Sequence, residues 1–170
     1  NIFDIPKLEE LIKKSDVCIN LIGILFEKSS SNFLNIHEKF PSIISALCEK
    51  YKVSKFIHLS ALGIENAKDS NYAVSKIKGE NAVRNNFRET IILKPSIVYS
   101  VDDNFTTNFM TLLGRLPVFP LFYNGRTKFA PIHCSDLTDT ISYIISNNIY
   151  SKIIECVGPE EITFKEILQR

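Results

Sequence analysis

The stretch Asp16-Val-Cys-Ile-Asn-Leu-Ile-Gly23 decides the fold of this chain. It is apolar almost without interruption, which is typical of a strand that helices cover on both faces. A helix start precedes it, since Asp4 is suited to cap a first turn that contains Pro6. The pattern predicts an amphipathic helix followed by a buried strand.

Two further apolar runs, 55–60 and 90–94, follow at comparable spacing. Helical patterns separate the three runs, one over about 33–51 with a kink or restart at Pro41 and one over 71–86. This strict alternation predicts a parallel, doubly wound α/β sheet with right-handed crossovers. The strands at 16–23, 55–60 and 90–94 should therefore be neighbours in sequential order, with 16–23 as an exposed apolar edge.

The pattern becomes less regular after Pro95. We expect a helix over about 103–115, a turn at 123–125 and a helix that has Asp136 in its first turn and ends near Asn147. A last strand is predicted at 152–157. Thr163 can then cap a terminal helix, with Glu166 three residues further on.

The bulk composition excludes several classes of protein. The chain has 170 residues, 45% of them hydrophobic, and a net charge of +1, which suits one ordinary soluble domain. Lys and Arg are scattered, so no nucleic-acid surface is expected. No apolar run approaches the ~18 residues that span a bilayer. The four cysteines form no C-x-x-C pair, which favours buried thiols in a reducing cytoplasm over disulfides or a zinc site.

The most informative short motif is Tyr72-Ala-Val-Ser-Lys76. Four residues of spacing place both side chains on one helical face, where a lysine can lower the pKa of a phenol. The motif alone is weak, because Tyr51 and Lys55 have the same spacing. Tyr51 and Lys55 fall where a helix ends and a strand begins, whereas Tyr72 opens a helix just beyond a strand. Context therefore favours Tyr72 and Lys76.

A Gly-rich phosphate-binding loop of the G-x-G-x-x-G type is missing from the sequence. The chain also begins at Asn1 without a methionine, and its first strand would need partners on both sides. We therefore expect a fragment, with two βαβ units of roughly 60 residues upstream.

Several segments resemble the short-chain dehydrogenase/reductase superfamily, in its extended or atypical branch. They are Asn1–Asp4, Asn20–Gly23, Leu59–Ala61, the pair Tyr72 and Lys76, and Lys94–Ser96. The resemblance covers nearly the whole chain. It implies that residues 1–170 are a single C-terminal portion of an NAD(P)-binding Rossmann domain, with about 95–135 contributing to a substrate lobe.

The resemblance also implies roles for individual residues. Hydride transfer would use Tyr72 as general acid/base and Lys76 to hold the ribose and lower the phenol's pKa, with a strand-end hydroxyl, Ser60, orienting the substrate. No metal is implied. The residues expected to bind NAD or NADP are Asn1, Leu21, Ile22, Gly23, Tyr72, Lys76, Pro95 and Ser96.

Some of these residues have a structural interpretation beside the functional one. Asn20 can serve only to hold neighbouring strands together, and Gly23 only to turn the chain. His58 and His133 lie in strand-like apolar runs, which favours buried, hydrogen-bonded imidazoles over catalytic ones.

Two positions depart from the family pattern. The family's catalytic serine aligns with Ala61, and Ser60 could replace it only if the strand end were shifted by one residue, which would turn its side chain to the other face. Nucleotide-sugar epimerases of this branch carry an arginine where this chain has Phe129. The pattern is more similar to the subgroup that includes the dehydrogenase-like accessory subunit of respiratory complex I.

Two functions therefore remain open. The first is an NAD(P)-dependent oxidoreductase or epimerase-type enzyme that uses the Tyr72 and Lys76 pair. The alternative is a cofactor-holding accessory or assembly subunit of respiratory NADH dehydrogenase with little turnover, peripheral to the inner face of a membrane complex. Ala61 favours the alternative, and the motif itself does not distinguish the two.

Overall fold

A computed structural model describes residues 2–28, 31–100 and 126–167. The chain divides into two compact units, Asn1–Lys94 with Ile144–Glu155, and Pro95–Tyr143 with Cys156–Arg170. Asn1, the predicted helix over 103–115 and the turn at 123–125 lie outside the described residues. It stays a prediction that residues 1–170 are a single portion of one Rossmann domain and that about 95–135 contribute to a substrate lobe.

A four-stranded sheet organises the first unit. Its order is β1 (Val17–Asn20), β2 (Lys55–Leu59), β3 (Ile91–Pro95) and β7 (Ile153–Cys156). The first three strands are parallel, with Val17 opposite Lys55 and Ile57 opposite Ile91. This confirms the predicted sequential order. The first strand is the edge of the described sheet, and Ile19 on it is exposed, as the apolar edge prediction required.

Helices α1 (Ile5–Ile12), α2 (Phe40–Lys50) and α3 (Asn71–Asn86) connect these strands. Asp4 caps α1 as predicted, because its carboxylate accepts a hydrogen bond from the Lys7 amide at 3.3 Å. The predicted interruption at Pro41 is also present. Residues Leu34–Lys39 form a π-helical turn that leads directly into α2, and Pro41 has no N–H to offer to the carbonyl of His37.

Helix α3 packs very closely on this π-helical turn. A Cβ atom added at Gly79 would lie 1.9 Å from the carbonyl oxygen of His37, a distance that real side chains do not reach. Only glycine allows the two backbones to approach this far. The contact fixes His37 against the face of α3 that carries Tyr72 and Lys76.

The core of the first unit lies between the sheet and helices α1, α2 and α3. Phe56 from β2 is fully buried and contacts the Phe87 ring at the end of α3, with ring centroids 6.1 Å apart. Burial of such large side chains is the main source of stability in a domain of this size. The buried members of this cluster are Ile12, Phe40, Ile44, Cys48, Val53, Phe56, Val83, Phe87 and Ile92.

The second unit contains short strand pairs. Strand β4 (Val98–Tyr99) is parallel to β6 (Ile132–His133), and β5 (Lys128–Phe129) is antiparallel to β8 (Ile162–Thr163). Helix α4 (Cys134–Ser146) begins with Asp136 in its first turn. The short helix α5 (Phe164–Ile167) has the predicted capping box, since Glu166 accepts from the Thr163 amide at 2.7 Å and its own amide donates to the Thr163 hydroxyl at 3.2 Å.

Candidate functional site

The candidate site lies where β1 and β2 end and the first turns of α3 begin. In open α/β sheets the carboxyl ends of parallel strands are the usual place for ligands. Asn20 is the last residue of β1, and Leu59 is the last residue of β2. Helix α3 begins after Ser70, whose hydroxyl accepts from the Ala73 amide at 3.4 Å. This cap places Tyr72 in the first turn and Lys76 one turn later.

Lys76 is buried at the end of the sheet. Its ammonium group donates a hydrogen bond to the carbonyl oxygen of Leu59 at 3.2 Å. The same group lies 3.4 Å from the point where Gly23 would carry a Cβ. Burial lowers the Lys76 pKa to about 8, although the charge of Glu80 one turn further along α3 opposes this. The ammonium therefore lies directly beside the backbone that follows β1.

Tyr72 is held by aromatic contacts. Its ring meets the rings of His37 and Phe33 edge to face, with centroids 5.4 and 5.8 Å apart. Burial raises the pKa of the Tyr72 phenol. The predicted lowering of the Tyr72 pKa is therefore not seen.

The sequence interpretation missed His37. Its imidazole is almost fully buried, and Nε2 accepts a hydrogen bond from the Ile24 amide at 3.1 Å. On the other side Nδ1 lies 2.8 Å from the Ser75 hydroxyl, which donates to the carbonyl of Tyr72 at 2.7 Å. Burial and the Lys76 charge lower the His37 pKa to about 4. A histidine four residues before a helix-interrupting proline was the available signal.

The imidazole of His58 is also buried, and it lies next to the end of β1. The Asn20 amide nitrogen donates to Nδ1 of His58 at 3.0 Å, and the Asn20 amide oxygen accepts from the Ile22 amide at 3.2 Å. Burial, followed by the charges of Lys76 and His37, lowers the His58 pKa to about 3. The expectation of a buried, hydrogen-bonded His58 is confirmed, and Asn20 joins neighbouring strands as in the structural interpretation.

Ser60 has a different partner from the predicted one. Its hydroxyl is buried and donates to the carboxylate of Glu80 on α3 at 2.5 Å. Glu80 also pairs with Lys94 at 3.0 Å, and Lys94 forms a further ion pair with Glu65. Ser60 thus belongs to a buried polar network below α3. The role of Ser60 in orienting a substrate carbonyl stays a prediction.

The other predicted residues fall in three places. Leu21 and Ile22 are exposed and continue into Gly23 beside Lys76. Pro95 ends β3, and Ser96 is fixed within the second unit, where its amide donates to the Cys156 carbonyl at 3.0 Å and its hydroxyl accepts from the Ala130 amide at 3.3 Å.

The described residues contain no group of three or more His, Cys, Asp or Glu side chains arranged to hold a metal ion. In the same parts of the chain, every helix is too short or too polar to cross a bilayer. All four cysteines are free thiols.

Solved structures share this fold over almost the whole chain. A UDP-glucuronic acid 4-epimerase from Bacillus cereus, in complex with UDP-glucuronic acid and NAD, matches with a TM-score of 0.76 at 21% identity, covering 99% of this chain and 62% of that one. A dTDP-4-dehydrorhamnose reductase from Bacillus anthracis, in complex with NADP, matches with a TM-score of 0.76 at 13% identity, covering 99% and 66%. These matches show a Rossmann fold.

Curated relatives are similar in sequence. The NADH-ubiquinone oxidoreductase 40 kDa subunit of Neurospora crassa is 28% identical over 162 residues, 94% of this chain and 42% of that protein. NADH dehydrogenase [ubiquinone] 1 alpha subcomplex subunit 9 of Dictyostelium discoideum is 29% identical over 169 residues, 99% and 47%. A ceramide reductase of Caulobacter vibrioides is 29% identical over 129 residues, 76% and 40%.

The chain spans less than half the length of these curated relatives. No family model matches it. The two complex I relatives are mitochondrial subunits, and they agree with the subgroup that the sequence resembles.

Proposed function

We propose that this chain belongs to the extended short-chain dehydrogenase/reductase family and that the protein binds a nicotinamide dinucleotide, NAD(H) or NADP(H), beyond the carboxyl ends of β1 and β2. One observation carries the proposal. The buried ammonium of Lys76 lies directly beside the Gly23 backbone, where a side chain at position 23 would meet it. A fixed cation beside backbone that carries no side chain suits a ribose.

The residues present fit such a group. Within the described residues Lys76 uses one of its three N–H donors, on the Leu59 carbonyl, so two remain for ribose hydroxyls. Gly23 offers backbone without a side chain, and the exposed Leu21 and Ile22 offer apolar surface next to it. Bound nicotinamide would supply the hydride chemistry, and this chain's residues would supply binding and orientation.

The local electrostatics favour a protein that holds the cofactor with little turnover. A general acid works best when its pKa lies near the working pH, yet burial raises the Tyr72 pKa above its ordinary value near 10. Ala61 offers no hydroxyl, and the Ser60 hydroxyl is bound to Glu80. We therefore propose an accessory or assembly subunit of a respiratory NADH dehydrogenase. Its partners would be other subunits, on the cytoplasmic or equivalent inner face of the membrane complex.

A hydride-transferring oxidoreductase or epimerase-type enzyme is the second candidate. The observation in its favour is that Tyr72 and Lys76 share one face of α3 at the strand ends, where the family's catalytic pair would stand. The similarity to a ceramide reductase agrees with this candidate. Proton transfer by Tyr72 would then require that cofactor binding lower the Tyr72 pKa.

Cofactor titration of the full-length protein tests the binding site. NADH and NADPH fluorescence should increase on binding, and Lys76→Ala should weaken the affinity about 10- to 100-fold, because a hydrogen bond to a charged group contributes about 1.5–3 kcal/mol. Lys78→Ala is the matched control, since Lys78 lies on the same helix with an exposed side chain. Tyr72→Phe should leave the affinity nearly unchanged. Absence of binding to either nucleotide by the wild type would refute the proposal.

Turnover of simple carbonyl substrates separates the two candidates. Loss of one preorganised donor typically costs about 10²–10³ in rate, so the wild type should be slow and Ala61→Ser should be faster. A wild-type turnover within the usual enzyme range of about 1–10³ per second would favour the enzyme instead.

A further inference from the structure

The segment that leaves β1 is held by two of its backbone amides. The Ile22 amide donates to the Asn20 side chain at 3.2 Å, and the Ile24 amide donates to Nε2 of His37 at 3.1 Å. Gly23 lies between these two anchors, and its backbone passes Lys76. The path of residues 21–24 is therefore set by the Asn20 side chain at the end of β1 and by the His37 side chain from the π-helical turn.

The hydrogen bonds around His37 require one tautomer. The Ser75 hydroxyl donates its proton to the Tyr72 carbonyl at 2.7 Å, so toward His37 it acts as an acceptor. Nδ1 of His37 must then carry the proton, which leaves the Nε2 lone pair for the Ile24 amide. Every polar atom in this chain of contacts is satisfied by the neutral imidazole.

The packing around His37 leaves the ring one position. Phe33 stacks on it with centroids 5.2 Å apart, and Tyr72 meets it edge to face. Its backbone carbonyl lies directly against Gly79 of α3, so the π-helical turn cannot slide toward the helix. An imidazole that is fixed in this way transmits the position of α3 to the Ile24 amide.

We infer that His37 is a positioning residue that fixes the backbone of residues 21–24 relative to Tyr72 and Lys76, so that this backbone is preorganised for the ribose of the nicotinamide dinucleotide. The inference rests on the proposed cofactor function. His37 acts through the Ile24 amide on one side and through Ser75 and the first turn of α3 on the other. It need not touch the cofactor itself.

Two substitutions in the full-length protein separate the contacts of His37. In His37→Gln the amide oxygen can reach the place of Nε2 and still accept from Ile24. In His37→Asn the shorter amide ends near the place of Nδ1, so it keeps Ser75 and loses Ile24. We expect His37→Gln to keep the NADH affinity within about threefold of the wild type and His37→Asn to weaken it about five- to tenfold, the effect of one lost hydrogen bond.

Amide hydrogen exchange supplies a readout that a merely destabilised fold would not give. In His37→Asn the Ile24 amide should exchange faster than in the wild type, while amides of the sheet core such as Ile57 keep their protection. Equal NADH affinities for His37→Asn and the wild type would overturn the inference.

Nuclear magnetic resonance of the ¹⁵N-labelled wild type provides a test that needs no variant. His37 should be neutral with the proton on Nδ1, and a proton on Nε2 would refute the arrangement even if both variants failed to fold. The tautomer measurement can also be told apart from a failure of the proposed function, because it does not depend on cofactor binding. If the wild type binds neither NADH nor NADPH, the cofactor role of His37 falls with that function, whatever the tautomer shows.

Discussion

Replacement of Gly79 by alanine tests the close contact on which the site is built. In an exposed helix interior this substitution stabilises a protein by about 1 kcal/mol, because alanine loses less backbone entropy than glycine. At Gly79 the added Cβ would lie 1.9 Å from the carbonyl oxygen of His37. The obstacle is backbone, which cannot rotate away as a flexible side chain would.

The structure indicates which effect is larger. To reach an ordinary contact, α3 and the π-helical turn must separate by more than about 1 Å, and overpacking of a close-packed interior costs about 1–3 kcal/mol, occasionally more. Because the clash at 1.9 Å is severe and is with backbone, the cost should lie in the upper part of this range, at about 2–3 kcal/mol. With the propensity gain of about 1 kcal/mol subtracted, we expect Gly79→Ala to lower the free energy of unfolding by about 1–2 kcal/mol. The separation should also lengthen the contacts of His37 with Ser75 and Ile24.

Urea unfolding of the full-length protein measures this change, as a lower midpoint with an unchanged slope. Asn81→Ala is the matched control. It lies two residues further along the same helix, its side chain is exposed, and it should give a gain of a few tenths of a kcal/mol. A Gly79→Ala protein as stable as the wild type, or more stable, would show that the two helices do not approach as described.

Two further predictions concern buried charge. The pKa values of His37 and His58 are lowered to about 4 and about 3 in the folded protein, so between these values and 6.5 the unfolded chain binds more protons, and stability falls as the pH falls from 6.5. The free energy of unfolding should be lower at pH 5 than at pH 7, by up to about 4 kcal/mol for the two residues together. His37→Gln should reduce this difference. A free energy of unfolding that does not change between these pH values would contradict the neutral imidazoles. Lys94→Ala should cost about 3–5 kcal/mol in chemical unfolding, because it leaves Glu80 buried without its cation. Lys128→Ala is the control, because it removes only the exposed ion pair with Glu161, and it should change the free energy of unfolding by less than about 1 kcal/mol. Equal effects of the two lysine substitutions would argue against a buried network.

The end of β2 departs from the family pattern because its hydroxyl group, that of Ser60, belongs to the buried network around Glu80. The carboxylate of Glu80 accepts from the Ser60 hydroxyl and pairs with Lys94, so this serine is committed below α3. A buried carboxylate needs several such partners to remain charged. The neighbouring residue, Ala61, has no hydroxyl to offer to a substrate.

The sequence by itself determined the architecture of the first unit. Continuous apolar runs separated by helical periodicity predict a parallel sheet, and the order of β1, β2 and β3 follows that prediction. Local chemistry also located the Asp4 cap, the interruption at Pro41 and the bounds of the helix that carries Tyr72 and Lys76. These features depend on neighbours a few residues apart, so a single sequence contains them.

Only the tertiary structure decided which polar groups meet at the site. His37 contacts Ser75 and Ile24 because α3 packs closely on the π-helical turn at Gly79. Ser60 meets Glu80 across 20 residues because α3 also packs on the end of β2. The pKa of Tyr72 likewise depends on burial beside Phe33 and His37, and the four-residue spacing to Lys76 predicted the opposite shift. Helical spacing fixes which side chains share a face, whereas desolvation and hydrogen-bond partners depend on the distant segments that pack against that face.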